Sequence, residues 1–160
     1  MRSEPSGVTA EDDFARFFES ERTSAMRLAW LLTRDERTAE DVVQEAFTAV
    51  YPRFDDLHQP AAYLRRAVVN AVFERSRRAG RERRRVALVH AGERDHVEGP
   101  TGGLADAIAA LPIKQRTAIV LRYWGDLDID EISRAIDVRP GTVRSLLSRG
   151  TARLRKDLPT

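Results

Sequence analysis

The sequence predicts an all-α fold: two small helical domains joined by a flexible linker, the C-terminal one a helix-turn-helix. Three observations carry this. Apolar residues recur at three- and four-residue spacing along most of the chain, and no useful stretch alternates as a half-buried strand does. A segment with four glycines and a proline, His90 to Gly103, interrupts that periodicity. Beyond Asp128, two short amphipathic stretches flank a three-residue turn.

Residues 1–9 read as a loose tail. From Ala10 to about Thr33, Phe14, Phe17, Phe18, Met26, Leu28, Leu31 and Leu32 fall at helical spacing. A polar turn follows, and Thr38 is expected to cap a second helix with Asp41 three residues on. That helix carries Val42, Val43, Ala46, Phe47 and Val50, with Pro52 as its stop. Residues 53–59 are expected to be a loop. Pro60 opens a third helix at its favoured first position, and this helix should run to about Arg78. Residues 10–80 thus form the first domain, 81–103 a linker with a frayed helical start, and 104–160 the second domain. In the latter, Leu104–Ala110, Gln115–Trp124, Asp128–Ile136 and Pro140 to about Asp157 are helical.

The formal net charge is only +2, but the charge is segregated. Residues 1–60 hold 7 basic and 13 acidic groups, residues 61–90 hold 9 and 2, residues 91–138 hold 5 and 9, and residues 139–160 hold 6 and 1. Two basic blocks, each preceded by an acidic one, form an electrostatic footprint suited to nucleic acid. Disulfides and thiolate metal sites are excluded because there is no Cys. His58, His90 and His96 lie in loop or linker sequence at no metal-ligand spacing, and neither a phosphate loop nor a nucleophile motif is present. No cofactor is expected, and the chain does not read as an enzyme. It carries neither a signal-peptide pattern nor a membrane-length apolar run, which fits a cytoplasmic protein without direct membrane insertion.

Asp128 and Glu131 make a D-x-x-E capping box. Ile129, Ile132, Ala135 and Ile136 form the apolar face that follows, Asp137-Val138-Arg139 the turn, and Pro140 the first residue of the next helix. Val143, Leu147 and Leu154 keep that helix on the core. Gly141, Ser145 and Ser148 lie opposite, flanked by Arg144 and Arg149. A small, polar, arginine-flanked face can approach base edges, and arginine can reach guanine or phosphate.

The wording of these segments is more specific still. Leu111-Pro-Ile-Lys-Gln-Arg116, Leu121-Arg-Tyr123, Asp130-Glu-Ile132 and Gly141-Thr-Val-Arg-Ser145 follow in order, and together they resemble region 4 of extracytoplasmic-function (ECF) sigma factors of the sigma-70 family. Ala39-Glu-Asp-Val-Val-Gln-Glu-Ala-Phe47 resembles the family's region 2.2. Ala62-Tyr-Leu-Arg-Arg-Ala-Val-Val-Asn70, followed by an arginine cluster, resembles regions 2.3 and 2.4. The resemblance implies that Asp41, Gln44 and Glu45 bind the clamp helices of core RNA polymerase, whose flap would also be a partner. It implies that Phe54, Leu57, Tyr63, Arg65, Arg66, Asn70, Arg75, Arg77 and Arg78 meet the separated −10 element of promoter DNA. It further implies that Arg122, Thr142, Arg144, Ser145, Ser148 and Arg149 meet the −35 duplex, and that an anti-sigma factor is a partner. Arg139-Pro140 stands where many members have Ser or a similar cap, and Leu146 where many have a basic residue. A competing reading is a different helix-turn-helix regulator that binds duplex DNA without polymerase. A membrane-surface role for helix 60–78 has little support, because that helix lacks an interfacial aromatic set.

Overall fold

The computed structural model describes residues 9–89 and 103–158. Residues 1–8 of the expected tail (1–9) and 90–102 of the expected linker (81–103) lie outside them. Helix α1 spans Ala10–Thr33 and α2 spans Glu36–Val50. A 3-10 helix covers Tyr51–Asp56, and α3 spans Pro60–Val89. Beyond the undescribed segment come α4 (Leu104–Ala109), α5 (Ile113–Tyr123), α6 (Ile129–Ile136) and α7 (Pro140–Asp157). Among the described residues all regular structure is helical.

Helix α1 begins with a capping box. Thr9 Oγ1 accepts from the Asp12 amide, and the Asp12 carboxylate accepts from the Thr9 amide. The cap of α2 differs from the expectation: Asp35, not Thr38, is the cap. Its Oδ2 accepts from both the amide (2.9 Å) and the hydroxyl (2.5 Å) of Thr38, so a carboxylate satisfies two donors of the first turn. Pro52 does not simply end α2. It sits in the first turn of the 3-10 helix, where a missing amide proton costs nothing, so part of the expected loop is helical. Helix α3 continues past Arg78 to Val89, which makes the expected start of the linker helical too.

Helices α1, α2 and α3 pack on one another around Leu32, Val42, Val50, Leu64, Val68 and Val69, all nearly or fully buried. Phe14 and Phe17 extend this core: their rings lie 5.4 and 5.2 Å from that of Phe54, and Phe14 is 4.9 Å from Tyr51. In the second unit, α5 and α6 pack against α7 through Ile119, Ile132 and Val143. Full burial of an aliphatic side chain of this size contributes about 1.5–3 kcal/mol. Gly150 permits the close approach of α7 to α5, since a Cβ there would lie 3.1 Å from Ile119 Cγ1.

The two units also pack together. Helix α1 meets α4 and α5, and α3 meets α5 and α6. Arg116 of α5 joins them, donating from Nη1 to the Leu32 carbonyl (2.6 Å) and from Nη2 to those of Ala109 (2.6 Å) and Leu111 (3.1 Å). These carbonyls lie at the C-terminal ends of α1 and α4, where a cation is favoured. Arg34 reinforces the junction, stacking 4.0 Å over Trp30 and pairing with Asp106 at 3.6 Å.

Candidate nucleic-acid interface

The helix-turn-helix is held by local bonds. Asp128 Oδ1 accepts from the Glu131 amide and Glu131 Oε2 accepts from the Asp128 amide, both at 2.8 Å, completing the expected capping box. Asp137 ends α6 in the left-handed region (φ 54°). The Val138 amide then donates back to the Ser133 carbonyl (3.1 Å), and Ser133 Oγ donates to the Val138 carbonyl (2.5 Å). Half-buried Val138 packs against the core, as the turn required. Arg139 caps α7 without a side-chain bond, and Pro140 supplies the helical first turn.

Helix α7 divides cleanly. Val143, Leu146 and Gly150 are buried; Gly141, Thr142, Arg144, Ser148 and Arg149 are exposed. Ser145 is half-buried and its hydroxyl donates to the Gly141 carbonyl at 3.2 Å, which leaves its oxygen able to accept. Leu146 faces the core, so an apolar residue at that position serves packing. Arg122, exposed at the end of α5, donates from Nη1 to the Leu127 carbonyl at 3.0 Å and ties α5 to the entry of α6.

The second face lies on α2 and α3. Asp41, Gln44 and Glu45 are all exposed along α2, opposite Val42, Val43, Ala46 and Phe47. Gln44 lines a groove between α1 and α2 floored by Phe14, Phe18 and Phe47. Glu45 instead turns toward α3, where it accepts from Arg75 Nη1 at 2.7 Å. A groove of about 480 Å³ between α2 and α3 brings Glu45 together with Tyr63, Arg66, Asn70 and Arg77.

Three other expected −10 residues sit elsewhere. Arg65 lines the cleft between the two units with Arg27 and Trp124. Phe54 is half-buried in the aromatic cluster, and Leu57 is half-buried just past the 3-10 helix. Arg78 projects beside Arg77 toward Glu74. Glu74 lies on the same face of α3, and its spacing to Arg77 and Arg78 signals the pairing that the sequence shows locally. Arg116 belongs to the Leu111–Arg116 motif, but its bond to Leu32, 84 residues away, has no local signature.

No described helix is long and apolar enough to cross a membrane. Among the described residues no group of three or more His, Asp or Glu side chains is placed to hold a metal.

Comparison with known proteins matches both units. Residues 17–82 match the family described as Sigma-70 region 2, and residues 102–154 match Sigma-70, region 4. The chain is similar to the RNA polymerase sigma-E factor of Streptomyces avermitilis, with 32% identity over 154 residues covering 91% of this chain and 85% of that one. It is also similar to the ECF RNA polymerase sigma factor SigE of Mycolicibacterium smegmatis, with 33% identity over 143 residues covering 81% and 55%. Among solved structures, the fold resembles the sigma factor RpoE of Bartonella quintana in complex with the anti-sigma factor NepR. The TM-score is 0.71 at 22% identity, covering 91% of this chain and 96% of that one.

Proposed function

The chain belongs to the extracytoplasmic-function branch of the sigma-70 family, and on that premise we infer that it is an alternative sigma factor, binding core RNA polymerase and directing initiation at promoters with −10 and −35 elements. The observation that carries this is one chain holding a region 2 unit and a region 4 unit in order, each with an exposed face of the required chemistry.

In this reading Thr142, Arg144, Ser145, Ser148 and Arg149 enter the major groove of the −35 duplex. Arg122 and Thr142 are suited to backbone contacts, and Arg144 and Arg149 to guanine or phosphate. The α2–α3 groove takes the separated −10 strand: Tyr63 offers a ring for stacking, Asn70 an amide, and Arg66, Arg75, Arg77 and Arg78 bind phosphates. Arg65, Phe54 and Leu57, also expected at −10, lie outside this groove, Arg65 in the cleft between the units and Phe54 in the aromatic cluster. Asp41, Gln44 and Glu45 form the polymerase-facing surface of α2. The unit boundaries are 10–80 and 104–160, with the helical extension of α3 leading into the connection. Polymerase performs the chemistry and this chain directs it, in the cytoplasm where polymerase works. The solved relative's complex with NepR supports a partner of the anti-sigma kind.

The rival reading, a helix-turn-helix regulator acting on its own, is separated from this one by footprinting promoter fragments with the chain alone, with core polymerase alone, and with both. Protection of both elements only in the combined sample is expected. Full protection by the chain alone supports the rival.

A further inference from the structure

Glu74 lies on the α3 side of the α2–α3 groove, and three arginines converge on it. Its Oε2 accepts from Arg77 Nη2 at 3.1 Å, while Oε1 lies 3.3 Å from Arg78 Nε and 3.7 Å from Arg81 Nη2. Spacings of three, four and seven residues bring all four side chains to one face of the helix. Arg75, next along the chain, is tied to Glu45. Every arginine from 75 to 81 therefore faces an acid. The hydrogen bond from Arg77 does most to hold the Glu74 carboxyl below the ordinary glutamate range; desolvation opposes it, and the charges of Arg77, Arg78 and Arg81 add to the lowering.

These pairs are open to solvent: Arg77, Arg78 and Arg81 are 62%, 69% and 65% exposed, so they contribute little to folding. Their consequence is electrostatic. A carboxylate gathers guanidinium groups through the same charge-assisted bonds that a phosphate uses. A nucleic-acid phosphate approaching this face meets cations already engaged and an anion that repels it.

We propose that Glu74 acts as an internal stand-in for phosphate, gathering Arg77, Arg78 and Arg81 and competing with single-stranded nucleic acid for them, so that this face binds weakly until promoter and polymerase contacts add to it. The inference rests on the reading of α3 as the −10 face. Glu74 is a positioning residue here, and it restrains non-specific binding.

The test is fluorescence anisotropy of the full-length chain with a labelled oligothymidylate across about 50 to 200 mM salt. Glu74→Gln is expected to tighten binding by roughly tenfold at the low-salt end and to steepen the salt slope by about 0.7 for each phosphate newly engaged. Glu74→Ala, equally neutral, should do the same, whereas Glu74→Asp keeps the charge and should keep the weak binding. Reverting the gain by adding Arg77→Ala and Arg78→Ala to Glu74→Gln would place it on these arginines. Unchanged or weaker binding by both neutral variants, or an unchanged salt slope, overturns the proposal. A gain of binding is not an effect of lost folding, and thermal melting of each variant checks the fold. If the wild-type chain fails to direct initiation with core polymerase, the promoter reading falls while the oligothymidylate comparison is decided on its own.

Discussion

Arg116 donates a 2.6 Å hydrogen bond to the carbonyl of Leu32, across the boundary between the two units. The bond places a half-buried guanidinium, its pKa lowered by desolvation, against the C-terminal end of α1. The consequence concerns reach. Elements at −10 and −35 are about 25 base pairs apart, roughly 85 Å at about 3.4 Å per pair. A compact chain of 160 residues has a radius of gyration of about 15 Å and is roughly 40 Å across. The packed pair must therefore part before both elements are engaged.

Arg116→Ala should loosen the pair. Charge-assisted hydrogen bonds contribute about 1.5–3 kcal/mol each, and the carbonyls of Leu32, Ala109 and Leu111 lose their donor together. Small-angle scattering of the free chain should show a larger radius of gyration than wild type. An unchanged radius would mean that the apolar contacts alone hold the closed pair.

The capping box of α6 is a local stability device. Asp128→Ala removes the acceptor of the Glu131 amide and should cost about 0.5–2 kcal/mol in urea unfolding. Because α6 packs against α7, which carries the −35 residues, −35 duplex binding by the holoenzyme should weaken as well.

Two glycines give opposite expectations. Gly150→Val places a Cβ 3.1 Å from Ile119 Cγ1 and should destabilise by about 1–3 kcal/mol through overpacking. Gly80→Ala meets nothing within 4 Å inside α3 and should stabilise by about 0.5–1 kcal/mol. Urea midpoints of the two variants read both.

Stability should fall in acid through the helix caps. The side-chain and then the backbone hydrogen bond from Thr38 lower the pKa of Asp35 from 3.8, and the bonds from the Thr9 backbone and side chain lower that of Asp12 from 3.8. A carboxyl whose folded pKa is depressed contributes stability in full above its unfolded value, and the contribution is lost as pH falls through the folded one. The urea midpoint should thus decline from about pH 5 downward through 3.8 and below. Asp35→Asn should flatten part of that decline. Equal acid dependence in variant and wild type would mean that Asp35 contributes nothing to the decline.

Arg149→Ala should reduce discrimination among −35 variants by about 1–3 kcal/mol, the worth of a good bidentate base contact. Measured on holoenzyme with duplex probes, uniform weakening across sequences would instead mark Arg149 as a phosphate contact.

The helix-turn-helix was legible because its determinants are local. The Asp128–Glu131 spacing, the Ile132–Ala135–Ile136 stripe and Pro140 each act within a turn or two. The start of α2 was misplaced because Asp35 and Thr38 are both capping residues. Only the structure shows the Asp35 carboxylate accepting from the Thr38 amide, which sets the boundary three residues earlier. The split of the −10 set was illegible for another reason. Arg65 and Arg66 are neighbours in sequence, yet successive residues on a helix point about 100° apart, so one faces the cleft between units and the other the α2–α3 groove. Phe54 reads as an exposed loop aromatic until α1 brings Phe14 and Phe17 against it.

Run-off transcription with purified core polymerase and a genomic promoter pool, with and without this chain, asks whether the chain directs initiation. Specific start sites are expected only when the chain is present, with shared sequence at −10 and −35. Active core polymerase and folded chain that together yield no specific starts would contradict this role.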